Sequence, residues 1–298
     1  MLHLQNHIFL FLVPILILSL IIGWFAIPEM AVQKNGYLDW WSVLGIFLLF
    51  SGSLTFLSTL GTLSSWIALI IGGIGWFLFY YRSKKVEHPL IRLSILSNKT
   101  FRLFLIGFLV YQFLLLGVSF VLPNFLQIVQ GSSPFVAGLA MLPGAAVGAL
   151  LSPFSGKMLD QYGPKKPIFA GLILSLIGWL ALFLLIGHAS LGVLIACHVF
   201  YMVGIGLSYS NMMTTGMNAL NEELQGDGNA MFNTLQQFSG AVATSLVAVI
   251  INYVQHHTSH SYEVSTTLGS KAALGVLLLL LLISFARFVY SLFFAKKA

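Results

Sequence analysis

The sequence predicts an all-α polytopic membrane protein of about nine transmembrane helices, and three observations carry that prediction. Of its 298 residues, 58% are hydrophobic and only 7% are charged, against roughly 25% charged residues in soluble domains. Mean hydropathy is +0.94, so the apolar residues outnumber what an internal core could hide and must face lipid. They also fall in stretches of about 20 residues, the length that crosses a bilayer core. The net charge of +6, from 14 Lys and Arg against 8 Asp and Glu, sits in short interhelical segments, where cations set orientation. Nucleic acid is therefore excluded as a partner. The single cysteine, Cys197, excludes a disulfide framework and a thiolate metal site.

The first stretch, about 8–27, lacks a cationic lead-in and a small-residue cleavage site, so it reads as a retained helix rather than a removable signal. Two closely spaced spans follow at 41–60 and 64–81, and then the longest charged stretch, Arg82 to Arg102, with a turn-like His88-Pro89 step. Residues 31–99 thus form a two-helix connector with a basic link. From residue 100 come six spans, at 103–126, 135–155, 168–187, 190–214, 230–254 and 272–294, joined by short loops. If the C-terminus is placed in the cytoplasm, thirteen of the fourteen cations fall inside, and only Lys271 falls outside. That bias orients the chain with its N-terminus outside.

The loop Gly156-Lys157-Met158-Leu159-Asp160-Gln161-Tyr162-Gly163-Pro164-Lys165-Lys166-Pro167 joins the second and third spans of the six-span unit. Gly163 permits a tight turn, Asp160 is expected to accept hydrogen bonds from the start of the next helix, and the lysines hold the loop at the cytoplasmic surface. By itself this is equally a plain basic turn. The spacing G-x-x-x-D-x-x-G-x-K-[KR] resembles the loop signature of the major facilitator superfamily in its C-terminal copy. The run from Gly226 through Asp227, Gly228, Asn233, Gln236 and Gln237 to Ala241 is similar to the opening of the thirteenth helix in the fourteen-helix drug:proton antiporters, the EmrB/QacA type. His88-Pro89-Leu90 with Phe101 resembles that branch's link into its C-terminal half, and Pro14 fits its sixth helix. The resemblance covers the whole chain as helices six to fourteen. Residues 1–30 then correspond to the last helix of an otherwise missing N-terminal half, and 100–298 to the C-terminal transporter half of a partial major facilitator fold. The chain departs from the pattern at Gln236-Gln237, where the branch often has Arg-Gln. It also lacks helices one to five, with the first loop copy and the antiporter motif.

Polar residues recur at helical spacing within the apolar spans. Tyr201, Gly204, Ser208, Asn211 and Thr215 make one stripe, Asn233, Gln237, Gly240 and Thr244 a second, and Gln112, Ser119 and Pro123 a third, with Asn124 and Gln127 near its outer end. For any one of these residues, interhelical packing is the commoner role. As a set, they predict a shared substrate pathway through Gln112, Ser119, Asn124, Tyr201, Ser208, Asn211, Asn233 and Gln237. Gly156, Asp160, Gly163, Lys165 and Lys166 would form a cytoplasmic gate. The 25 phenylalanines and 9 methionines would supply adaptable walls, although most must face lipid or the core. Pro134 to Gly156 reads as one small-residue helix built for close contact or hinging.

All eight acids fall in loops or at helix ends, with Glu222, Glu223 and Asp227 expected in a solvated cytoplasmic loop. No buried carboxylate is therefore available as a proton carrier. There is no phosphate-binding G-x-x-x-x-G-K-[ST] loop and no H-E-x-x-H pair. His256, His257 and His260 read as a solvated loop rather than a metal site. No cofactor, metal or enzymatic activity is expected. The resemblance implies the C-terminal portion of a proton-coupled multidrug efflux transporter in the plasma membrane, inactive without the missing helices. Its implied partners are a lipophilic small-molecule substrate, cations among the candidates, together with protons, the lipid bilayer and a separately supplied N-terminal half. The alternative is a non-transporting remnant or a membrane interaction subunit.

Overall fold

The structure, a computed structural model, describes residues 12–26, 38–87 and 89–291. The chain divides into two units, residues 1–38 and 39–298. In the first, α1 spans Leu12–Ala26 (15 residues), about 22 Å at 1.5 Å per residue. The ends of the predicted first span, Glu29, Lys34, His88, Lys296 and Lys297 lie outside the described residues.

The regular elements of the second unit's described residues are all helical: α2 Trp40–Ser58, α3 Leu63–Lys85, a 3₁₀ turn Leu93–Ser97, α4 Lys99–Ile128, α5 Pro134–Leu139, α6 Leu142–Tyr162, α7 Lys165–Leu185, α8 Leu191–Asn218, α9 Glu222–His257 and α10 Tyr262–Val289. Eight segments among the described residues are long and apolar enough to cross a membrane, with α5 and α6 counted as one. They match the second to ninth predicted spans.

Small residues set the closest approaches. In the α2–α3 hairpin, Gly45 lies against Gly75, and Gly52 against Gly72. A Cβ on Gly52 would sit 2.5 Å from Gly72 N and 2.7 Å from Ala68 O, so nothing larger than glycine lets these backbones touch. Gly171 of α7 faces Gly204 of α8 in the same way, with Gly204 O at 2.6 Å from an added Cβ.

The core forms around α4. Asn98 caps it by accepting from Thr100 N and Phe101 N at 3.0 Å each. Phe101, Phe104, Phe108, Tyr111, Leu114, Val118, Val121, Leu122 and Phe125 are all buried, a three-to-four-residue repeat that gives one continuous apolar face. That face packs on α8, α9 and α10. Trp179 of α7, fully buried, donates its Nε1 hydrogen to Leu274 O of α10 at 3.0 Å. Phe50 of α2 stacks on Phe238 of α9 with centroids 4.1 Å apart, seating the hairpin on the six-helix unit.

Four expectations are corrected. The fifth predicted span crosses as one segment, Pro134–Tyr162, but not as one unbroken helix: it divides at residues 140 and 141 into α5 and α6, with Pro143, which has no N–H to donate to the preceding turn, at the start of the second. Helix α9 begins at Glu222 rather than near 230 and α10 at Tyr262 rather than near 272, so Lys271 is helical. Glu222, Glu223 and Asp227 accordingly lie in α9, and Asp227 is mostly buried in an ion pair with Arg92 at 2.9 Å rather than solvated. Asp160 does not cap α7: the residue at the cap position is Pro164, which makes no side-chain capping bond.

Candidate functional site

Three helices bring one hydrogen-bonded chain of side chains together. Tyr209 OH of α8 donates to Gln112 Oε1 of α4 at 2.6 Å, and Gln236 Nε2 of α9 donates to Tyr209 OH at 2.8 Å. The sequence builds this locally through helical spacing. Phe108 precedes Gln112 by one turn and stacks on the Tyr209 ring (centroids 4.3 Å, 14°), and Phe232 precedes Gln236 by one turn and meets Phe108 edge-on at 5.1 Å. Both α4 and α9 thus offer an aromatic ring one turn before an amide. Gly240, one turn past Gln236, leaves room for the Gln112 amide, since a Cβ there would come within 3.2 Å of Gln112 Nε2. Gln112 is buried and Tyr209 and Gln236 are half-buried, while Asn233 and Gln237 on α9 are exposed. Asn233 Nδ2 donates to Asn229 O and Oδ1, each at 2.9 Å.

The other predicted pathway residues lie apart from this group. Tyr201, Ser208 and Asn211 are almost fully buried, in the seam where α8 meets α6 and α7. Ser208 donates to Gly204 O at 2.7 Å and packs on Gly171. Asn211 Nδ2 donates to Ser155 Oγ of α6 at 2.6 Å. Tyr201 packs on Gly178, and its hydroxyl has no hydrogen-bond partner among the described residues. Ser119, exposed, and Asn124, half-buried, each donate to the carbonyl one turn back on their own helix at 2.8 Å, which satisfies a polar group in lipid without a neighbour.

In the loop signature, Gly156 and Asp160 occupy the last turns of α6. Gly163 ends the helix at φ +71°, a conformation other residues resist. Lys165 and Lys166 open α7, and Lys166 Nζ lies 4.9 Å over the Tyr162 ring. Two ion pairs stand at the same end as this loop. Besides Arg92–Asp227, Asp39 before α2 accepts from Arg82 of α3 at 2.8 and 3.1 Å and from Ser42 Oγ at 2.6 Å. The Arg82 bonds hold the Asp39 carboxyl down at about 2, outweighing burial, which acts the other way, with Ser42 assisting.

The acids among the described residues all lie in loops or toward helix ends, none in the middle of a span. Among those residues no three His, Cys, Asp or Glu side chains group closely enough to hold a metal ion. At the opposite end, an open groove of about 950 Å³ runs between residues 57–61 and α9, with Ser58, Ser245, Asn252, Tyr253, His256 and His257 as its polar lining.

Sequence reasoning missed Tyr209, Gln236 and both ion pairs. Gln236 was legible as the neighbour of Gln237, and Asp39 and Arg82 as opposite charges at the two open ends of a hairpin.

Comparison with known proteins follows the same lines. The family model of the Major Facilitator Superfamily matches residues 7–244. The chain is 33% identical over 257 residues to a lincomycin resistance protein, LmrB, of Listeria monocytogenes, covering 83% of this chain and 54% of that protein. It is 28% identical over 288 residues to an uncharacterized MFS-type transporter, YcnB, of Bacillus subtilis (94% and 61%). It is 26% identical over 218 residues to a colistin resistance protein, EmrB, of Acinetobacter baumannii (70% and 42%). The chain spans about half the length of these curated relatives. A polytopic helical unit, the loop signature and a match over most of the sequence together place one conclusion beyond the fold: this chain belongs to the Major Facilitator Superfamily.

Proposed function

We propose that the chain is the C-terminal portion of a proton-coupled exporter of lipophilic small molecules, cations among them, in the plasma membrane. Its six-helix unit, residues 100–298, forms one wall of the substrate pathway, with residues 31–99 as a connecting hairpin and link. The observation that carries this reading is the Gln112–Tyr209–Gln236 chain, ringed by Phe108 and Phe232 and bordered by exposed Asn233 and Gln237. Amides beside aromatic rings bind varied lipophilic ligands through ring faces and orient them through a few polar contacts. Tyr201, Ser208 and Asn211 act instead by tightening α8 against its neighbours. The resistance proteins named above support export as the activity, and rocking of two halves about a central site supplies the mechanism. The Gly156, Asp160, Gly163, Lys165 and Lys166 turn braces the end with most of the cations, which is the cytoplasmic end by the positive-inside bias. The proton-carrying acid belongs to helices that the resemblance places before this chain.

The test uses single cysteines in a Cys197→Ser background. Asn233→Cys and Gln237→Cys should react with aqueous thiol reagents and be shielded by a lipophilic cationic dye, while Ser208→Cys stays unreactive. Lack of shielding at both positions would overturn the pathway assignment. Reconstituted vesicles with an imposed pH gradient test the rest: dye efflux by this chain alone would show that it carries its own coupling. Absence of efflux, with binding retained, fits a half that needs further helices, and absence of both favours a non-transporting interaction subunit.

A further inference from the structure

Where α4 begins and α10 ends, Lys99, Arg102 and Arg287 share one open cavity of about 450 Å³ whose floor is Leu103 and Ile106, with Tyr290 at its side. Behind it Leu103, Ile106, Ser284, Arg287 and Phe288 enclose a void of only about 10 Å³. Three features set this groove apart. No acid lines it, and none of its three cations forms an ion pair among the described residues; Arg102 Nη1 makes one long bond, 3.3 Å, to Leu96 O. Beneath its inner end lies the Ser284 hydroxyl, 3% exposed and without a hydrogen-bond partner among the described residues. And its floor, Leu103 and Ile106, is apolar.

Clustered like charges repel unless an anion joins them. A soluble anion would satisfy the cations but not the apolar floor. A ligand that satisfies both carries a phosphodiester and an acyl chain. Tyr290 matches the aromatic position at a membrane surface, and basic pockets between transmembrane helices are sites for anionic headgroups. We propose that this groove binds one anionic phospholipid. Arg102 and Arg287 hold its phosphate, Lys99 stands at the rim, and an acyl chain lies along Leu103 and Ile106.

Native mass spectrometry of the full chain, released from nanodiscs of mixed phosphatidylglycerol and phosphatidylcholine, reads retained lipid directly. The chain should retain phosphatidylglycerol over phosphatidylcholine. Arg102→Gln with Arg287→Gln should lower that retention about tenfold or more, while Arg102→Lys with Arg287→Lys keeps most of it and Lys165→Gln with Lys166→Gln leaves it unchanged. Ile106→Trp, which fills the floor without altering charge, should also lower it. Any of three results overturns the proposal: full retention by the neutral arginine pair, equal retention of phosphatidylcholine, or displacement of the lipid by glycerol 3-phosphate as readily as by phosphatidylglycerol, which marks a soluble-anion site.

Discussion

Tyr209 joins two glutamine amides from different helices through one hydroxyl, accepting from Gln236 and donating to Gln112. Hydrogen bonds between membrane helices contribute about 0.6 kcal/mol each, so Tyr209→Phe should lower stability by about 1 kcal/mol, read as a small drop in thermal midpoint in detergent. A dye-binding loss larger than tenfold in that variant would then be a direct effect on the site, because ten-fold corresponds to about 1.4 kcal/mol. Periodicity found Gln112 but chose Gln237 over Gln236, residues about 100° apart on the helix. Spacing along one helix reports a stripe, not which edge of the stripe a neighbouring helix meets. Asp39 was read as one more acid at a helix end, whereas folding gives it Arg82 as a partner 43 residues away. Its carboxyl is held at about 2, below an unfolded value near 3.9. The ionised form therefore stabilises the fold fully above about pH 4, and this contribution is lost as pH falls toward 2. The difference in thermal midpoint between the native chain and Asp39→Asn should be constant from about pH 8 to 5 and shrink between about pH 4 and 2.

Among the elements, the α2–α3 hairpin depends most on what its residues lack. Gly52→Val would place a Cβ within 2.7 Å of Ala68 O and the Gly72 backbone, and overpacking of this kind costs about 1–3 kcal/mol. The prediction is a lowered thermal midpoint for Gly52→Val and little change for Gly73→Ala, whose added Cβ meets nothing within 4 Å. Predicted spans placed these helices well because hydropathy reports the lipid-crossing part of a helix. For the same reason they stopped short on α9 and α10, whose first turns are polar. Glu222 and Glu223 sit in the first turn of α9, where negative charge favours the helix dipole. Asp227 then finds Arg92, so the helix runs past the membrane-like stretch into ion-paired ends.

At the scale of the second unit, short loops between successive membrane-length helices and the positive-inside bias predict that α2 to α10 alternate across the membrane, counting α5 and α6 as one crossing. Alkaline phosphatase fused within 258–261 should be active outside the cell, and a fusion after Gly163 inactive; the reverse pattern would overturn the orientation. The amino-acid sequence by itself determined that the chain lives in lipid, where its spans lie, which end carries the cations and which family it resembles. These follow from hydropathy, charge and short-range spacing, all written along one dimension. Only the tertiary structure decided that Tyr201, Ser208 and Asn211 close a helix seam while Gln112, Tyr209 and Gln236 meet, that Asp39 and Asp227 are paired, and that Lys99, Arg102 and Arg287 share a groove. The physical reason is that a polar residue in a membrane takes its role from what lies across the interface, and that partner is set by helix rotation and packing.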